Sequence, residues 1–388
     1  VETANMFYTS QVYHDCSTFL YLQRNFLEKI MTKALDRKNF KAFDQEKLQE
    51  YYGKVLQGTK DLKTSACCCD EDIPGRIKAA LAEINDEVLA RFYGCGSPFP
   101  PLLEGLTVLD LGCGAGRDAY LASRLVGPDG HVIGVDMTPE QLEVAERNLN
   151  SQMARFGYEK SNVDFRCGYI EDLGAINIAD NSVDVVISNC VLNLSPDKFS
   201  VFSEIFRVLK PGGELLFSDV FSGRRVPPEL YDDPVLNGEC LAGAMYREDF
   251  RRLLLELGCR DFRIISSRRI EIDNDEIEAK IGMIDFYSET VRVFKLSNLE
   301  DICEDYGQTA VYHGTISECP HAFDLDDHHH FITQKPMLLC GNTAAMLENT
   351  RLAPHFTIIG DRTQHFGPFD CASGAEKAIS NGSGGACC

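Results

Sequence analysis

Between Thr107 and Phe217, short apolar and β-branched runs alternate with segments whose apolar positions repeat at helical spacing. The runs are Thr107–Leu111, His131–Asp136, Val163–Cys167, Val183–Ser188 and Glu214–Ser218. Strands separated in this way by crossover helices predict a parallel sheet of the doubly wound α/β kind. Upstream, Phe19, Leu22, Phe26, Leu27, Ile30, Leu35, Phe43 and Leu48 recur at helix-like spacing across residues 17–56, giving an N-terminal helical extension. Ile77, Leu81, Ile84, Val88, Leu89 and Phe92 predict a further helix, which Gly94, Gly96, Pro98, Pro100 and Pro101 stop before a new domain begins. Past Asp219 the pattern turns helical, with Pro227 opening one segment and Arg247–Leu257 forming another, and Phe262–Ile272 reads as a strand. Beyond Asp273 the signals weaken. Strands expected at Met283–Val293 and Phe331–Thr333 make that remainder α+β, and the Gly/Ser-rich end, with Cys387 and Cys388 at its tip, reads as a flexible tail.

A chain of 388 residues exceeds the roughly 250–300 over which one core keeps growing, so more than one domain is expected. Its net charge of -21, with no Lys/Arg-rich run, removes the electrostatic basis for binding nucleic acid or an anionic membrane. The first 26 residues have no secretory pattern, and no stretch approaches the ~20 apolar residues of a membrane span, so a cytoplasmic location is expected. The 16 cysteines are therefore read as reduced thiols, available as soft ligands or redox groups.

Val108-Leu-Asp-Leu-Gly-Cys-Gly-Ala-Gly116 is an apolar strand running into alternating glycines and then a helix-like segment, Asp118–Leu125. Gly112, Gly114 and Gly116 allow a sharp turn and close approach of a ligand to the backbone. Asp136 ends the second strand, where a carboxylate can accept hydrogen bonds from both hydroxyls of a ribose. The spacing is Gly-x-Gly-x-Gly, and the negative Asp110 suits a sulfonium-bearing amino acid better than a pyrophosphate. With Val183-Asp-Val-Val-Ile-Ser188 and Leu209-Lys-Pro-Gly-Gly213 added, residues from Gly105 to about Asp219 resemble the Rossmann-like class I S-adenosylmethionine methyltransferases. That resemblance implies that Asp110, Gly112, Gly114 and Gly116 line the methionine moiety and that Asp136 holds the ribose. It further implies Met137 beside the adenine, Ile170 and Glu171 at the adenine edge, and Asn189 near the reactive end.

Where the fourth strand opens toward the cofactor stands Cys190, in Ser188-Asn-Cys-Val-Leu-Asn-Leu194, rather than an acid or a histidine. Cys240 lies in Gly238-Glu-Cys-Leu-Ala-Gly243, Cys95 in Arg91-Phe-Tyr-Gly-Cys-Gly96, and Cys67 in Leu62-Lys-Thr-Ser-Ala-Cys67. None forms a Cys-x-x-Cys pair, so the usual zinc spacing is absent. These contexts, with Tyr51-Tyr-Gly-Lys-Val-Leu56, resemble the arsenite methyltransferase family from about Tyr51 through Gly258 and more loosely to the C-terminal cysteines. The resemblance implies that Cys95, Cys190 and Cys240 bind As(III), that Tyr93 lies at the cofactor, and that Cys67 takes part in catalysis by disulfide exchange with Cys95. Cys68 and Cys69 follow Cys67 directly, which leaves open the thiol of that triplet that acts. Trivalent arsenic and methylarsenicals are the expected substrates, a thioredoxin or glutathione system the expected reductant, and no catalytic metal ion is expected.

The chain is accordingly divided into an N-terminal helical extension (1–60), an S-adenosylmethionine-binding Rossmann-like domain (61–222), an As(III)-binding domain (223–320) and a C-terminal domain with a Cys-containing tail (321–388). Cys16, Cys167, Cys259, Cys303, Cys319 and Cys340 are read as small buried apolar residues, Cys113 as a small residue tolerated in the glycine loop, and His328–His330 as an exposed polar loop. Two competing readings remain. One is a methyltransferase acting on a small-molecule carbon or oxygen, with structural or zinc-bound cysteines. The other is a thiol-rich sequestering protein, against which the complete nucleoside-binding set argues.

Overall fold

The structure, a computed structural model, describes residues 45–52, 73–272 and 274–371. Most of the expected N-terminal extension lies outside the described residues, as do Cys16, Cys67, Cys68, Cys69, Cys387 and Cys388. Three short helices come first: α1 (Gln45–Glu50), α2 (Gly75–Leu81) and α3 (Asp86–Leu89). The alternating region follows as β1 (Thr107–Leu111), α4 (Arg117–Val126), β2 (His131–Asp136), α5 (Pro139–Phe156), β3 (Val163–Cys167), β4 (Val183–Asn189), α6 (Lys198–Val208) and β5 (Leu209–Ser222). After it come α7 (Pro234–Gly238), β6 (Met245–Tyr246), α8 (Arg247–Glu256), β7 (Arg263–Ile270), α9 (Asp275–Ile281) and β8 (Phe286–Phe294).

The principal sheet runs β3-β2-β1-β4-β5-β8-β7, with β6 paired to β5 at its end. Strands β1 to β5 are parallel, whereas β8 runs antiparallel to β5 and to β7. The order reverses between β1 and β4, so the crevice at their carboxyl ends is where an open α/β sheet holds its ligands. Burial on both faces explains why the central strands are legible as apolar runs: Val108, Leu109, Leu111, Val185, Val186 and Ile187 are all fully enclosed. The sheet does not stop at residue 222. β7 and β8 extend it, so residues 263–294 share the framework of the parallel strands β1 to β5.

Residues 77–92 do not form one helix. The Asn85 side chain donates to Asn148 and accompanies Ser151 of α5, and its N–H donates to Gln152 Oε1. These bonds tie the chain to α5 and break the helix into α2 and α3. The last sheet strand of the alternating region is also longer than expected, because Leu209 already pairs with Val183 before an irregularity at Val183/Val185.

Beyond β8 a second core forms around Phe323, Phe331, Leu339 and Phe356. It is built by β9 (Glu304–Tyr312), β10 (Ala322–Asp324), β11 (His330–Ile332), β12 (Pro336–Cys340), α10 (Gly341–Glu348), β13 (Phe356–Ile359) and β14 (Gly367–Pro368). Strands β12 and β13 flank β9, and β14 also pairs with it. The polar run before β11 differs from the expected exposed loop: His329 is buried, with Nδ1 2.8 Å from both Asp326 carboxylate oxygens. Asp326 in turn faces buried Arg263 at 3.3 Å. A polar cluster whose members satisfy one another can be enclosed. Of the cysteines read as buried, Cys259 and Cys340 are buried, Cys303 and Cys319 partly so, and Cys167 is exposed.

Candidate active site

The glycine loop leaves β1 with Gly112, Gly114 and Gly116 at φ 72°, 51° and 91°, values that disfavour any residue with a Cβ. A Cβ on Gly112 would lie 2.4 Å from Val191 Cγ2, so the loop packs directly against the residue after Cys190. Gly114 N–H and Thr138 N–H donate to the two oxygens of Asp136, each at 2.8 Å, which fixes that carboxylate at the mouth of the crevice. Cys113 is buried within this turn, and burial pushes its thiol far above the ordinary range.

Asp110, Asp118 and Asp136 crowd the same space. Burial first, then the negative charges of Asp118 and Asp136, holds the Asp110 carboxyl well above its usual range. Its Oδ2 is buried and has no hydrogen-bond partner among the described residues. An unsatisfied carboxylate oxygen beside further acids is a receptor for a cationic ligand, and it fits the ammonium or sulfonium of S-adenosylmethionine. Ile170 is buried beneath this region, while Glu171 accepts from Ser195 Oγ at 2.5 Å. The Met137 carbonyl accepts from Gln49 Nε2 at 2.8 Å.

Asn189, the last residue of β4, joins this crevice to the cysteines. Its Oδ1 accepts from the N–H groups of Cys95 and Gly96 at 2.9 and 3.1 Å, and its Nδ2 donates to Gly96 O and to Asp118 Oδ2. Ser288 Oγ of β8 donates to the Cys95 carbonyl at 3.0 Å. So clamped, the 94–96 turn brings Cys95 against Cys190, with Cα atoms 5.9 Å apart, and the two are joined by a disulfide. Cys67, expected to exchange with Cys95, lies outside the described residues.

Cys240 follows α7 and is buried, and its Sγ donates to the Cys190 carbonyl at 3.1 Å. Cys190 and Cys240 hold left-handed backbones, φ 58° and 64°, which few non-glycine residues adopt. Cys95, Cys190 and Cys240 belong to one buried cluster, so the three cysteines expected to act together do converge. Tyr93 is packed edge-on to Tyr52, whose hydroxyl donates to Gly238 O at 2.6 Å. Tyr52 O also accepts from Gln141 Nε2, so residues 49–52 span from the end of β2 to the Cys240 segment.

Two residues of the site have no signature in the sequence. A carboxylate oxygen of Asp219, in β5, lies within 4.8 Å of the Cys190 and Cys240 sulfurs. Burial pushes its carboxyl up to about 6, against donated bonds from Val220 and Asn193 and the charge of Lys198. Lys198 is only partly buried, but its ammonium donates to the Asn193 and Ser195 carbonyls, and desolvation there pushes it down to about 8, an effect that the negative charges of Asp219 and Cys240 oppose.

A parallel sheet with a reversed β8, a glycine loop and a buried carboxylate, Asp136, bonded to that loop at the switch point define a Rossmann-like class I methyltransferase. A methyltransferase domain model matches residues 102–258, and an arsenite methyltransferase C-terminal domain model matches 306–387. The chain is 52% identical over 329 residues to an arsenite methyltransferase of Aquipseudomonas alcaligenes, covering 85% of this chain and 94% of that one. It is 42% identical over 323 residues to the human arsenite methyltransferase, covering 82% and 85%. Among solved structures it resembles an arsenic (III) S-adenosylmethionine methyltransferase from Chlamydomonas reinhardtii, with TM-score 0.74, 54% identity, and coverage of 77% of this chain and 100% of that one. The chain belongs to the arsenite methyltransferase family and is an S-adenosylmethionine-dependent enzyme.

Proposed function

We propose that the enzyme methylates trivalent arsenic, as arsenite and methylarsenite delivered by thiols, while Cys95, Cys190 and Cys240 hold the arsenic as thiolates. The observation that carries this reading is the convergence of these cysteines at the carboxyl end of β4, with Asn189 bonded both to the Cys95 turn and to Asp118 of the acidic crevice. Soft thiolates select thiophilic arsenic, and an electropositive pocket is unnecessary for an uncharged substrate.

Asp110, Gly112, Gly114, Gly116, Asp136, Met137, Ile170, Glu171 and Tyr93 form the pocket for S-adenosylmethionine, which supplies an electrophilic methyl group. Three thiolates leave arsenic its lone pair, and the lone pair takes the methyl. No base is needed, because the nucleophile carries no proton. What the protein contributes is alignment of two reactants.

Methyl transfer raises arsenic by two electrons. In the proposed cycle the Cys67 thiol and the arsenic-bound Cys95 thiolate supply that electron pair by joining in a disulfide, which breaks the As–S bond to Cys95, releases the one proton of Cys67 and leaves a trivalent methylated product. The Cys95–Cys190 disulfide is one exchange step away: attack of the Cys67 thiolate on Cys95 Sγ transfers the bond and releases Cys190 as a thiolate. An external dithiol of the thioredoxin or glutathione kind then reduces Cys67–Cys95.

Arsenic speciation after turnover with S-adenosylmethionine, arsenite and reductant tests this reading. Methylated arsenic from the wild type, lost in Cys190→Ser, is expected. Methylation that persists in Cys190→Ser would remove the three-thiolate site, and unchanged multiple turnover in Cys67→Ser would remove the exchange step.

A further inference from the structure

A second convergence of sulfur lies in the C-terminal core, outside the crevice. The Sγ atoms of Cys303, Cys340 and Cys371 lie within 4.8 Å of one another. The backbone explains how residues so far apart in sequence meet. Gly367 of β14 pairs with Asp305 of β9, and Phe369 N–H donates to the Cys303 carbonyl at 2.8 Å, which returns the chain to the start of β9. Cys340, at the end of β12, caps α10: its sulfur accepts Thr343 N–H at 3.4 Å and lies 3.2 Å from Thr343 Oγ1. Arg263 Nη2 approaches the same sulfur at 3.9 Å. Bonds from the Cys303 and Cys371 thiols first, then the Arg263 charge and Thr343, hold the Cys340 thiol far below the ordinary range in spite of burial. The Cys340 sulfur is thus approached by two others, and no disulfide joins any pair.

Ligand number separates the two soft ions that such a set could take. Zinc(II) in a structural site requires four donors. The nearest other donors, His328 and His329, approach only Cys371 within the same 4.8 Å, and the ring nitrogens of His329 are engaged with Asp326 and Thr343. A dication would also stand close to the Arg263 guanidinium. Trivalent arsenic takes three thiolates, and the resulting complex is neutral.

We propose that Cys303, Cys340 and Cys371 form a second site that captures inorganic trivalent arsenic as a three-thiolate complex. This rests on the reading that the chain handles trivalent arsenic. In the capture step three As–S bonds replace the three As–OH bonds of arsenite. Each departing hydroxide leaves as water with the proton of the thiol that replaces it, three waters in all, and no electrons are exchanged. Each methyl already on arsenic removes one position for sulfur, so the site selects the unmethylated substrate over methylated products.

The test uses the full reduced chain with arsenite in millimolar glutathione, which strips arsenic from isolated thiols and thiol pairs, followed by gel filtration and mass-spectrometric counting of arsenic per chain. The wild type should retain about one equivalent more than Cys371→Ser or Cys303→Ser. Cys319→Ser should retain as much as the wild type, Cys190→Ser should keep the C-terminal equivalent, and methylarsenite should not be retained at that site. The proposal is overturned if Cys371→Ser and Cys303→Ser retain as much arsenic as the wild type. It is equally overturned if protein purified without chelator carries zinc that Cys371→Ser lacks. If Cys190→Ser loses an equivalent and Cys371→Ser does not, only the C-terminal site falls. If the wild type retains no arsenic, the active-site reading falls with it.

Discussion

Asn189 Oδ1 accepts the backbone N–H of Cys95, a residue 94 positions earlier, at 2.9 Å. One side chain at the end of β4 therefore sets the distance between the two cysteines that form the disulfide. Replacing Asn189 with alanine removes its bonds to Cys95, Gly96 and Asp118. Arsenite methylation should fall at least tenfold, while thermal stability drops by roughly 1–3 kcal/mol, the cost of leaving buried partners unmet. An undiminished rate alongside a lowered melting temperature would assign Asn189 to packing alone.

Asp110→Asn should act in opposite directions on binding and on stability. Loss of a charge-assisted contact to a cationic ligand, roughly 1.5–3 kcal/mol, should weaken S-adenosylmethionine by about 10- to 100-fold in calorimetry. The unliganded protein should melt higher, because the variant removes a carboxyl whose ionisation is opposed first by burial and then by the charges of Asp118 and Asp136. Unchanged affinity would exclude Asp110 from the pocket.

Asp219 makes a pH prediction. Its carboxyl lies at about 6 in the folded chain against an ordinary 3.8. Because the folded value is the higher one, its contribution to stability is complete below the unfolded value and lost as the pH rises toward 6. The loss is on the order of 3 kcal/mol. Denaturant unfolding of wild type and Asp219→Asn across pH 4 to 7 should show curves that diverge through this window and run parallel above it. Parallel curves throughout would mean that the group titrates normally.

Gly112→Ala combines a left-handed φ of 72° with a Cβ 2.4 Å from Val191 Cγ2. Since Val191 adjoins Cys190, the change should impair both S-adenosylmethionine binding and arsenite binding. Tryptophan is absent, so ligand calorimetry for each, rather than intrinsic indole fluorescence, is the measurement. Impairment of neither would show that the loop and the Cys190 turn move independently.

Much of the fold was legible in the sequence. The bounds of β1, β2 and β3 coincide with the expected runs; β1 and β2 are legible because they are enclosed along most of their length, while β3, at the sheet edge, is only partly buried. The glycine loop, Asp136 and the three converging cysteines were legible through their contexts. The break between α2 and α3 was not, because it depends on Asn85 reaching α5, a tertiary contact with no periodicity. Nor was the burial of His329: a run of Asp and His reads as solvated unless the distant Arg263 is known to stand behind it. Asp219 and Lys198 are ordinary residues by type, and only the burial of Asp219 beside the sulfurs and the charge of Lys198 acting on it distinguish them.

The left-handed backbone of Cys190 also constrains how this lineage can drift. At φ 58° the residues that fit without strain are glycine and, less readily, asparagine or aspartate, while valine, isoleucine and threonine are penalised. A cysteine codon reaches glycine by one nucleotide change, and such a step relieves strain in the turn as it deletes the sulfur. The backbone of this turn therefore favours losing the sulfur, and what opposes the loss is the bond to Cys95, the packing of the side chain and the chemistry of the thiol.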